Sequence, residues 1–337
     1  MNILFTCVGR RNYLVSSLKE ALCGSGVIVG ADANELASGL AECDKKKIVP
    51  PVNSPEYIPS ILNICREEKI GLLCSLNDLD LPVLSKNLDK FKEVGTIVSV
   101  SSPEVIDICF DKVSTAEFVE SIGLNAPLTY TNLDAALGAL KSGKIAYPVV
   151  VKPRWGSGSI GLEFAENERQ LKLSFELIKE KLSSTILKDA SLSDWDNAIM
   201  IQPKLKGDEY GLDVLNDFRG ENVAVFVKRK IRMRAGETDM AETVNIPALA
   251  EIGKKIGKNL KHIGNLDCDV FFDGETACIL EMNPRFGGGY PFTHCAGGDA
   301  TKAYLAWARG NDAPKECFEN FRAGETFSKC DRLIRVK

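Results

Sequence analysis

Oxygen-bearing side chains cluster on one predicted hairpin near the C-terminal end, between Asp267 and Gly289. Two short apolar runs flank Asp273-Gly274, a dipeptide that favours the tight turn between hairpin strands. Asp269 precedes the first run, and Glu281 and Asn283 end the second. Alternate residues of a strand share a face, so these three side chains can converge across the hairpin. Two carboxylates and an amide oxygen suit a divalent cation, best Mg²⁺ with phosphate oxygens completing its shell.

A guanidinium and a glycine run follow these oxygen donors. Arg285 takes the next position on the same face, and Gly287 to Gly289 extend the loop beyond it. The alternative is a solvated acidic hairpin in which Asn283-Pro284 is an ordinary turn. Because the polar positions share one face while the intervening residues are apolar, we favour a metal site that handles phosphate.

A second candidate for phosphate binding is the glycine-rich loop Pro153 to Gly161 (PRWGSGSIG), with its small residues Gly156, Ser157, Gly158 and Ser159. Backbone N–H groups of such a loop can close over phosphates. The spacing matches neither a Walker A loop nor a Rossmann turn, and a plain hairpin loop is the alternative. Lys152 ends the preceding β-branched strand, where a cation would meet phosphate oxygens.

Further polar positions lie between these two regions. The apolar strand Ala198 to Gln202 leads into Lys204-Leu205, a plausible hinge along which an adenine could lie. Glu209 alternates with Asp213 on the next strand. The basic segment Lys228 to Arg234 is interpreted as a wall facing an anion, with a solvated strand edge as the alternative. The polar stretch that follows, 235–243, is predicted to be a mobile loop.

Composition limits the class of protein. The 337 residues carry a net charge of -4, which argues against broad binding to nucleic acid or anionic membranes. Eleven cysteines without a CxxC pair favour neither a zinc site nor a disulfide framework. No apolar run is long enough to span a membrane and no signal peptide is visible, so we expect a cytoplasmic protein.

The elements that must position these residues begin with an open parallel sheet. Strands and helices alternate through the first 110 residues, the pattern of a Rossmann-like α/β domain, although the first turn lacks a GxGxxG fingerprint. Two further segments, 111–205 and 206–337, carry the glycine-rich loop and the acidic hairpin.

Taken together, these motifs resemble the ATP-grasp superfamily of carboxylate–amine ligases, and a single unit of the carbamoyl-phosphate synthase large subunit in particular. The motifs occur in that family's order: Asp111-Lys112, VVVKP, IQPKLKGDEYGLD, CDVFF and LEMNPRFGGG. The resemblance implies a multidomain α/β and α+β fold. Residues 1–110 would be the pre-grasp domain, 111–205 the small lobe with a glycine-rich lid, and 206–337 the large lobe with a C-terminal tail.

The resemblance also implies roles for single residues. Those that would contact ATP are Lys112, Lys152, Gly156, Ser157, Gly158, Ser159, Gln202, Lys204, Leu205 and Glu209. Asp269, Glu281 and Asn283 would bind Mg²⁺ or Mn²⁺. Arg285 would steady an acyl phosphate, and Arg234 is a second candidate for stabilising the oxyanion.

The function implied is an ATP-dependent ligase that activates a small carboxylate, from an amino acid or a sugar-linked acid, and joins it to an amine. Its partners would be small-molecule substrates; proteins of this kind are often dimers, and whether this chain forms a homodimer stays open. The alternatives are a kinase that forms an acyl or carbamoyl phosphate, an enzyme similar to carbamoyl-phosphate synthase, and a nucleotide-binding protein without turnover.

Overall fold

The structure is a computed structural model that describes residues 1–156, 161–185 and 187–337. Ser157, Gly158 and Ser159 of the predicted lid therefore lie outside the described residues. Within those ranges the chain forms three sheets, one parallel and two antiparallel. Among the described residues, none of the helices has the length and apolar character needed to cross a membrane.

The first sheet is parallel, with strand order β3-β2-β1-β4-β5. Its strands are β1 (Asn2–Thr6), β2 (Ile28–Asp32), β3 (Lys45–Ile48), β4 (Ile70–Ser75) and β5 (Ile97–Val98). The helices are α1 (Asn12–Leu22), α2 (Tyr57–Glu67), α3 (Leu81–Ser85), α4 (Leu88–Glu93) and α5 (Pro103–Phe110), with a 3₁₀ turn at Ser38–Glu42. Alternate residues of β1 enter different cores: Ile3 packs in the core that contains α1, and Leu4 in the core that contains α2. Burial on both faces explains why these strands are apolar throughout.

The second sheet is a small antiparallel one, with strand order β7-β6-β8. Its elements are α6 (Lys112–Ser121), α7 (Leu133–Lys141), β6 (Val149–Pro153), β7 (Glu163–Ala165), α8 (Glu168–Leu182), α9 (Lys188–Ser191), a 3₁₀ segment (Leu192–Asn197) and β8 (Ile199–Pro203). Val149 and Val151 of β6 share a core with Leu171 and Ile178 of α8. The opposite side of β6 carries Lys152, which is thereby directed away from that core.

The third sheet has six antiparallel strands in the order β13-β12-β9-β10-β11-β14. Its elements are β9 (Asp208–Asn216), β10 (Asn222–Arg234), β11 (Glu237–Val244), α10 (Pro247–Leu260), β12 (Gly264–Phe272), β13 (Ala277–Asn283), α11 (Tyr290–Cys295), α12 (Ala300–Ala308), α13 (Glu316–Glu319) and β14 (Thr326–Ser328). Leu212 and Cys268 on one face pack with α10, while the other face carries Asp213 and Asp269. The sequence prediction of a mobile loop over 235–243 was wrong, because most of this stretch forms β11, which pairs with β10.

Candidate functional site

Backbone register brings the predicted metal ligands together. In the β12–β13 hairpin, Asp269 lies opposite Glu281, and Asp267 lies opposite Asn283. Asn283 Nδ2 donates a hydrogen bond to Glu281 Oε1 over 3.3 Å. Within the described ranges there is no group of three or more His, Cys, Asp or Glu residues placed to hold a metal ion. The predicted set differs from such a group because its third member is an amide.

Several carboxylates lie close to Asp269 and repel its negative charge. Burial raises the pKa of Asp269 to about 7; Lys230 opposes that rise, and the charges of Asp267, Glu281 and Glu209 add to it. Carboxylates that repel one another at a partly buried site are stabilised by a divalent cation. The donor set at this hairpin therefore fits Mg²⁺.

Lys230 belongs to the site, although the sequence indicated it only as one residue of the basic segment Lys228 to Arg234. Its ammonium lies 2.7 Å from Glu209 Oε1 and 2.6 Å from Asp269 Oδ1. Burial alone would lower the pKa of Lys230, but Asp269 and Glu209 raise it above its ordinary value. Alternate residues of β10 share a face, so Lys228 and Lys230 lie on the same face of the sheet as these acids. The alternating positions of the lysines in the sequence could therefore have indicated that Lys230 belongs to the site.

Two further lysines face the hairpin from the small lobe. Lys112 Nζ donates a hydrogen bond to the carbonyl of Gly156 and lies 3.9 Å from Glu281 Oε2. Lys152 is buried, and burial together with the charge of Lys112 lowers its pKa to about 8, whereas Glu281 opposes that shift. Two neighbouring ammonium groups with little solvent form a site for phosphate oxygens.

A cavity of ≈350 Å³ between the two lobes is lined by every predicted nucleotide residue that the structure describes. Those that line it are Lys112, Lys152, Gly156, Gln202, Lys204, Leu205 and Glu209, together with Asp269 and Glu281 of the metal set. Phe164, Phe271 and Leu280 give the same cavity apolar walls. A cavity lined by both apolar and charged side chains suits a nucleotide, which has an apolar base and charged phosphates.

The hinge of this cavity is held by backbone and side-chain hydrogen bonds. Lys204 N donates to Pro148 O over 3.0 Å, and Gln202 Nε2 donates to Thr129 Oγ1 over 2.9 Å. The Lys204 ammonium lies 5.7 Å from the centre of the Phe164 ring. These contacts tie the end of β8 to the segments before β6, so the hinge has a defined position.

Arg285 joins the large lobe to the N-terminal domain. Its guanidinium donates to Asp78 Oδ2 over 2.9 Å and to Asp267 Oδ2 over 3.0 Å. Burial would lower the pKa of Arg285, but the carboxylates of Asp78 and Asp267 raise it. A Cβ atom at Gly287 would overlap the Asp267 carboxyl group, so the loop after Arg285 packs directly on this pair.

Arg234, the second residue predicted to stabilise the oxyanion, has different ion-pair partners from Arg285. Its guanidinium pairs with Asp331, at 2.7 Å from Oδ2, and with Asp239, at 3.0 Å from Oδ1. Arg234 lines a second cavity of ≈880 Å³ between the N-terminal domain, β11 and residues 327–334, here called the C-terminal segment. The turn between β10 and β11 separates the two cavities, because Met233 and Gly236 line the first one.

Comparison with protein families supports the fold derived from these elements. Residues 3–99 match a family model described as the N-terminal domain of PylC-like proteins. Residues 196–326 match a model described as ATP-grasp in the biosynthetic pathway with Ter operon. The two matches cover the parallel domain and most of the large lobe.

Individual relatives agree with the family models. The chain is 24% identical over 246 residues to the carbamoyl phosphate synthase large chain of Clostridium acetobutylicum, covering 68% of this chain and 21% of that protein. The chain therefore spans only about a fifth of that relative. It is 25% identical over 260 residues to the D-alanine–D-alanine ligase of Clostridium beijerinckii, covering 73% of this chain and 80% of the relative.

Solved structures share the architecture. The biotin carboxylase from Campylobacter jejuni, solved as a β-γ-ATP complex, superposes with a TM-score of 0.73 at 17% identity, covering 96% of this chain and 74% of that one. The expected fold class, an N-terminal parallel sheet followed by a two-lobed ATP-grasp unit, is confirmed. The chain is thus similar to proteins of the ATP-grasp superfamily in sequence and in architecture.

Proposed function

We propose that this protein is an ATP-dependent carboxylate–amine ligase that releases ADP and phosphate. The observation that carries the proposal is the inter-lobe cavity. It is lined by Lys112, Lys152 and the Asp269–Glu281 pair as well as by apolar side chains. A nucleotide bound there would have its base against the apolar side chains and its phosphates beside the lysines.

The first step is transfer of the γ-phosphoryl group. A carboxylate oxygen of the substrate attacks the γ-phosphorus, the bond to the β-phosphate oxygen breaks, and ADP leaves. Lys112 and Lys152 hold the phosphate oxygens and orient them for this in-line transfer. Asp269, Glu281 and Asn283 would hold Mg²⁺, which neutralises phosphate charge when it is bound.

The second step is attack by an amine on the acyl carbon. The C–N bond forms, inorganic phosphate leaves, and the amine loses a proton. Arg285 lies at the start of the loop that carries Gly287 to Gly289, and its guanidinium binds Asp267, on which Gly287 packs. We assign to Arg285 the stabilisation of charge on the acyl phosphate and on the tetrahedral intermediate. No nucleophilic side chain is required.

The acyl phosphate is an electrophile that water hydrolyses, so the active site must exclude water during the reaction. The segment Pro153 to Gly161 is the proposed lid, and its residues Pro153, Trp155 and Gly156 border the cavity. The carbonyl of Gly156 accepts a hydrogen bond from Lys112, so the start of the lid is held by a phosphate-side lysine. Nucleotide phosphates that draw Lys112 away would release that contact.

The test is nucleotide turnover with panels of small acids and amines. We expect ADP and phosphate to appear when an acid and an amine are both present, and a ligated product of matching amount. Glu281→Gln should lower turnover by about 100-fold or more, whereas Glu275→Gln at the exposed turn of the same hairpin should leave it unchanged. Formation of AMP and pyrophosphate, or ADP formation that is indifferent to the amine with no ligated product, would contradict the proposal. Light scattering would test the proposed homodimer.

A further inference from the structure

Two opposite charges stand side by side in the wall of the second cavity. Arg234 at the end of β10 and Glu237 at the start of β11 are cross-strand partners. Both line the ≈880 Å³ cavity. Facing residues of an antiparallel pair have Cα atoms about 5 Å apart, so the two charged heads can address neighbouring groups of one small molecule.

The C-terminal segment already presents complementary charges to this pair. Lys329 Nζ lies 3.3 Å from Glu237 Oε2. Asp331 accepts two hydrogen bonds from Arg234, of 2.7 Å to Oδ2 and 3.0 Å to Oδ1. Lys329 N also donates to Asp239 O over 2.8 Å, which holds the segment along β11. The segment thus offers an ammonium to Glu237 and a forked carboxylate to Arg234.

We propose that the second cavity binds the α-ammonium and α-carboxylate groups of an amino acid, and that Lys329 and Asp331 occupy those two positions until it arrives. An α-amino acid carries the same two charges on one carbon atom. The inference rests on the proposed function in one respect: the amino acid would be one of the two molecules that the ligase joins.

The pair of Arg234 with Asp331 is weak enough to be exchanged, because their side chains are 47% and 74% exposed. The Lys329 side chain is 21% exposed and that of Glu237 is 46% exposed, so their contact is better shielded from solvent. An exposed ion pair contributes little to stability, so a ligand carboxylate that makes the same contacts can displace Asp331 from Arg234. Arg10, which is exposed and forms no ion pair within the described part of the chain, adds a further positive charge to the cavity. The cavity also has room for a side chain.

The position of Glu237 indicates the direction in which the amino acid would lie. A Cβ atom at Gly288 would come within 3.3 Å of Glu237 Cδ, so Glu237 packs on the loop that follows Arg285. Arg11 also contacts Glu237, at 2.6 Å from Oε1. An ammonium group at Glu237 would therefore lie on the side of the reaction centre, with the carboxylate farther out at Arg234. This orientation suits the substrate that supplies the amine.

The test measures binding in the absence of nucleotide. Pools of glycine and both enantiomers of the protein amino acids are screened against the full chain by ligand-observed NMR. Calorimetry then compares the strongest binder with its carboxamide and its N-acetyl derivative. The two variants are Lys329→Gln/Asp331→Asn and a matched control, Lys315→Gln/Asp312→Asn, which removes the same charges from exposed positions outside the cavity.

We expect the tail variant, Lys329→Gln/Asp331→Asn, to bind the amino acid about three- to tenfold more tightly than the wild type, because it lacks the two competing charges. The control should bind it as the wild type does. The carboxamide and the N-acetyl derivative should bind at least about tenfold more weakly, because each lacks one of the two charges. Arg234→Lys should weaken binding, since a lysine cannot form the forked contact.

Three results would overturn the inference: no binder in any pool, equal affinity of the tail variant and the control, or equal affinity for the blocked derivatives. The proposed function is judged separately, by ADP release. A protein that binds the amino acid in this way but does not turn over ATP would retain the site and lose the ligase assignment.

Discussion

Asp269 and Glu281 owe their closeness to the register of two strands, because they lie directly opposite each other in the β12–β13 hairpin. Neither side chain needs a particular loop conformation to reach the other. Asn283 follows two residues later on the same face, and its amide already contacts Glu281. A site built on paired strands is well placed to hold its ligands in fixed positions.

Replacing one carboxylate should separate catalysis from folding. Glu281→Gln removes a negative charge that would bind Mg²⁺ but keeps the size of a partly exposed side chain. We expect kcat to fall by about 100-fold or more, with the melting temperature changed by no more than about 3 °C. Turnover at several Mg²⁺ concentrations and thermal denaturation check both parts. A parallel loss of stability and activity would count against a metal role, and Glu275→Gln is the control.

Lys152 predicts a dependence of nucleotide binding on pH. Its pKa in the free protein is lowered to about 8, so at pH 8 about half of the molecules carry a neutral amine. Nucleotide phosphates favour the ammonium form, so binding should take up about half a proton at pH 8 and almost none at pH 6.5. Calorimetry with Mg²⁺ and a non-hydrolysable ATP analogue, in buffers of different ionisation enthalpy, measures this uptake.

The matched variants for this measurement are Lys152→Met and Lys179→Met. Lys179 is an exposed lysine of α8, so its loss should leave the uptake unchanged. Lys152→Met should bind the analogue more weakly and without proton uptake at either pH. Persistent uptake in Lys152→Met would exclude this lysine as the titrating group.

Elements of regular pattern were predictable, and those defined by distant partners were not. Alternating apolar residues around Asp273-Gly274 predicted the acidic hairpin, which the structure forms as β12 and β13. Residues 235–243 contain few apolar side chains and were interpreted as a loop, yet β11 pairs along β10. Its polar residues are used in ion pairs at a cavity wall, for example that of Asp239 with Arg232 at 2.7 Å. The preference of a residue type for strands does not take contacts with distant residues into account, so it did not predict β11.

The loop after Arg285 depends on the absence of a side chain at Gly287. A methyl group there would overlap the Asp267 carboxyl group, so Gly287→Ala should displace Asp267 and the Arg285 guanidinium that it binds. We expect activity to fall at least about tenfold and stability to fall by about 1–3 kcal/mol. Steady-state kinetics and denaturant unfolding provide the measurement.

Gly138→Ala is the control for that substitution. Gly138 lies in α7, and no neighbouring atom comes within 4 Å of the place that an alanine methyl group would take. Alanine there should be neutral or stabilise the protein by up to about 1 kcal/mol. If both variants behaved alike, the packing of the loop on Asp267 would not be the reason for the glycine.

At the scale of the whole molecule, Arg285 connects two domains that the sequence places far apart. Asp78 and Arg285 are separated by 207 positions, and no local pattern predicts their contact. Asp78 lies just after β4 of the parallel sheet, and Arg285 lies just after β13 of the acidic hairpin. The ion pair arises because the N-terminal domain packs against the face of the large lobe that carries Asp267.

Removing the acid of this connection should destabilise the fold. Asp78→Ala leaves the buried guanidinium of Arg285 with Asp267 as its remaining carboxylate partner at this contact, and breaking a buried ion pair costs about 3–5 kcal/mol. Chemical denaturation followed by probes in both domains gives the measurement. Asp107→Asn, an exposed acid of α5, should change stability by no more than about 0.5 kcal/mol. Equal effects of the two variants would show that the pair does not couple the domains.

The turn between β10 and β11 is a partition shared by two cavities. Met233 and Gly236 face one compartment, and Arg234 and Glu237 face the other. A ligand that displaces this thin strip from one side changes the shape of the opposite side as well. If binding in one cavity changes the affinity of the other cavity by some factor, binding in the second cavity must change the affinity of the first by the same factor. The total free energy of binding both ligands is then the same whichever ligand binds first.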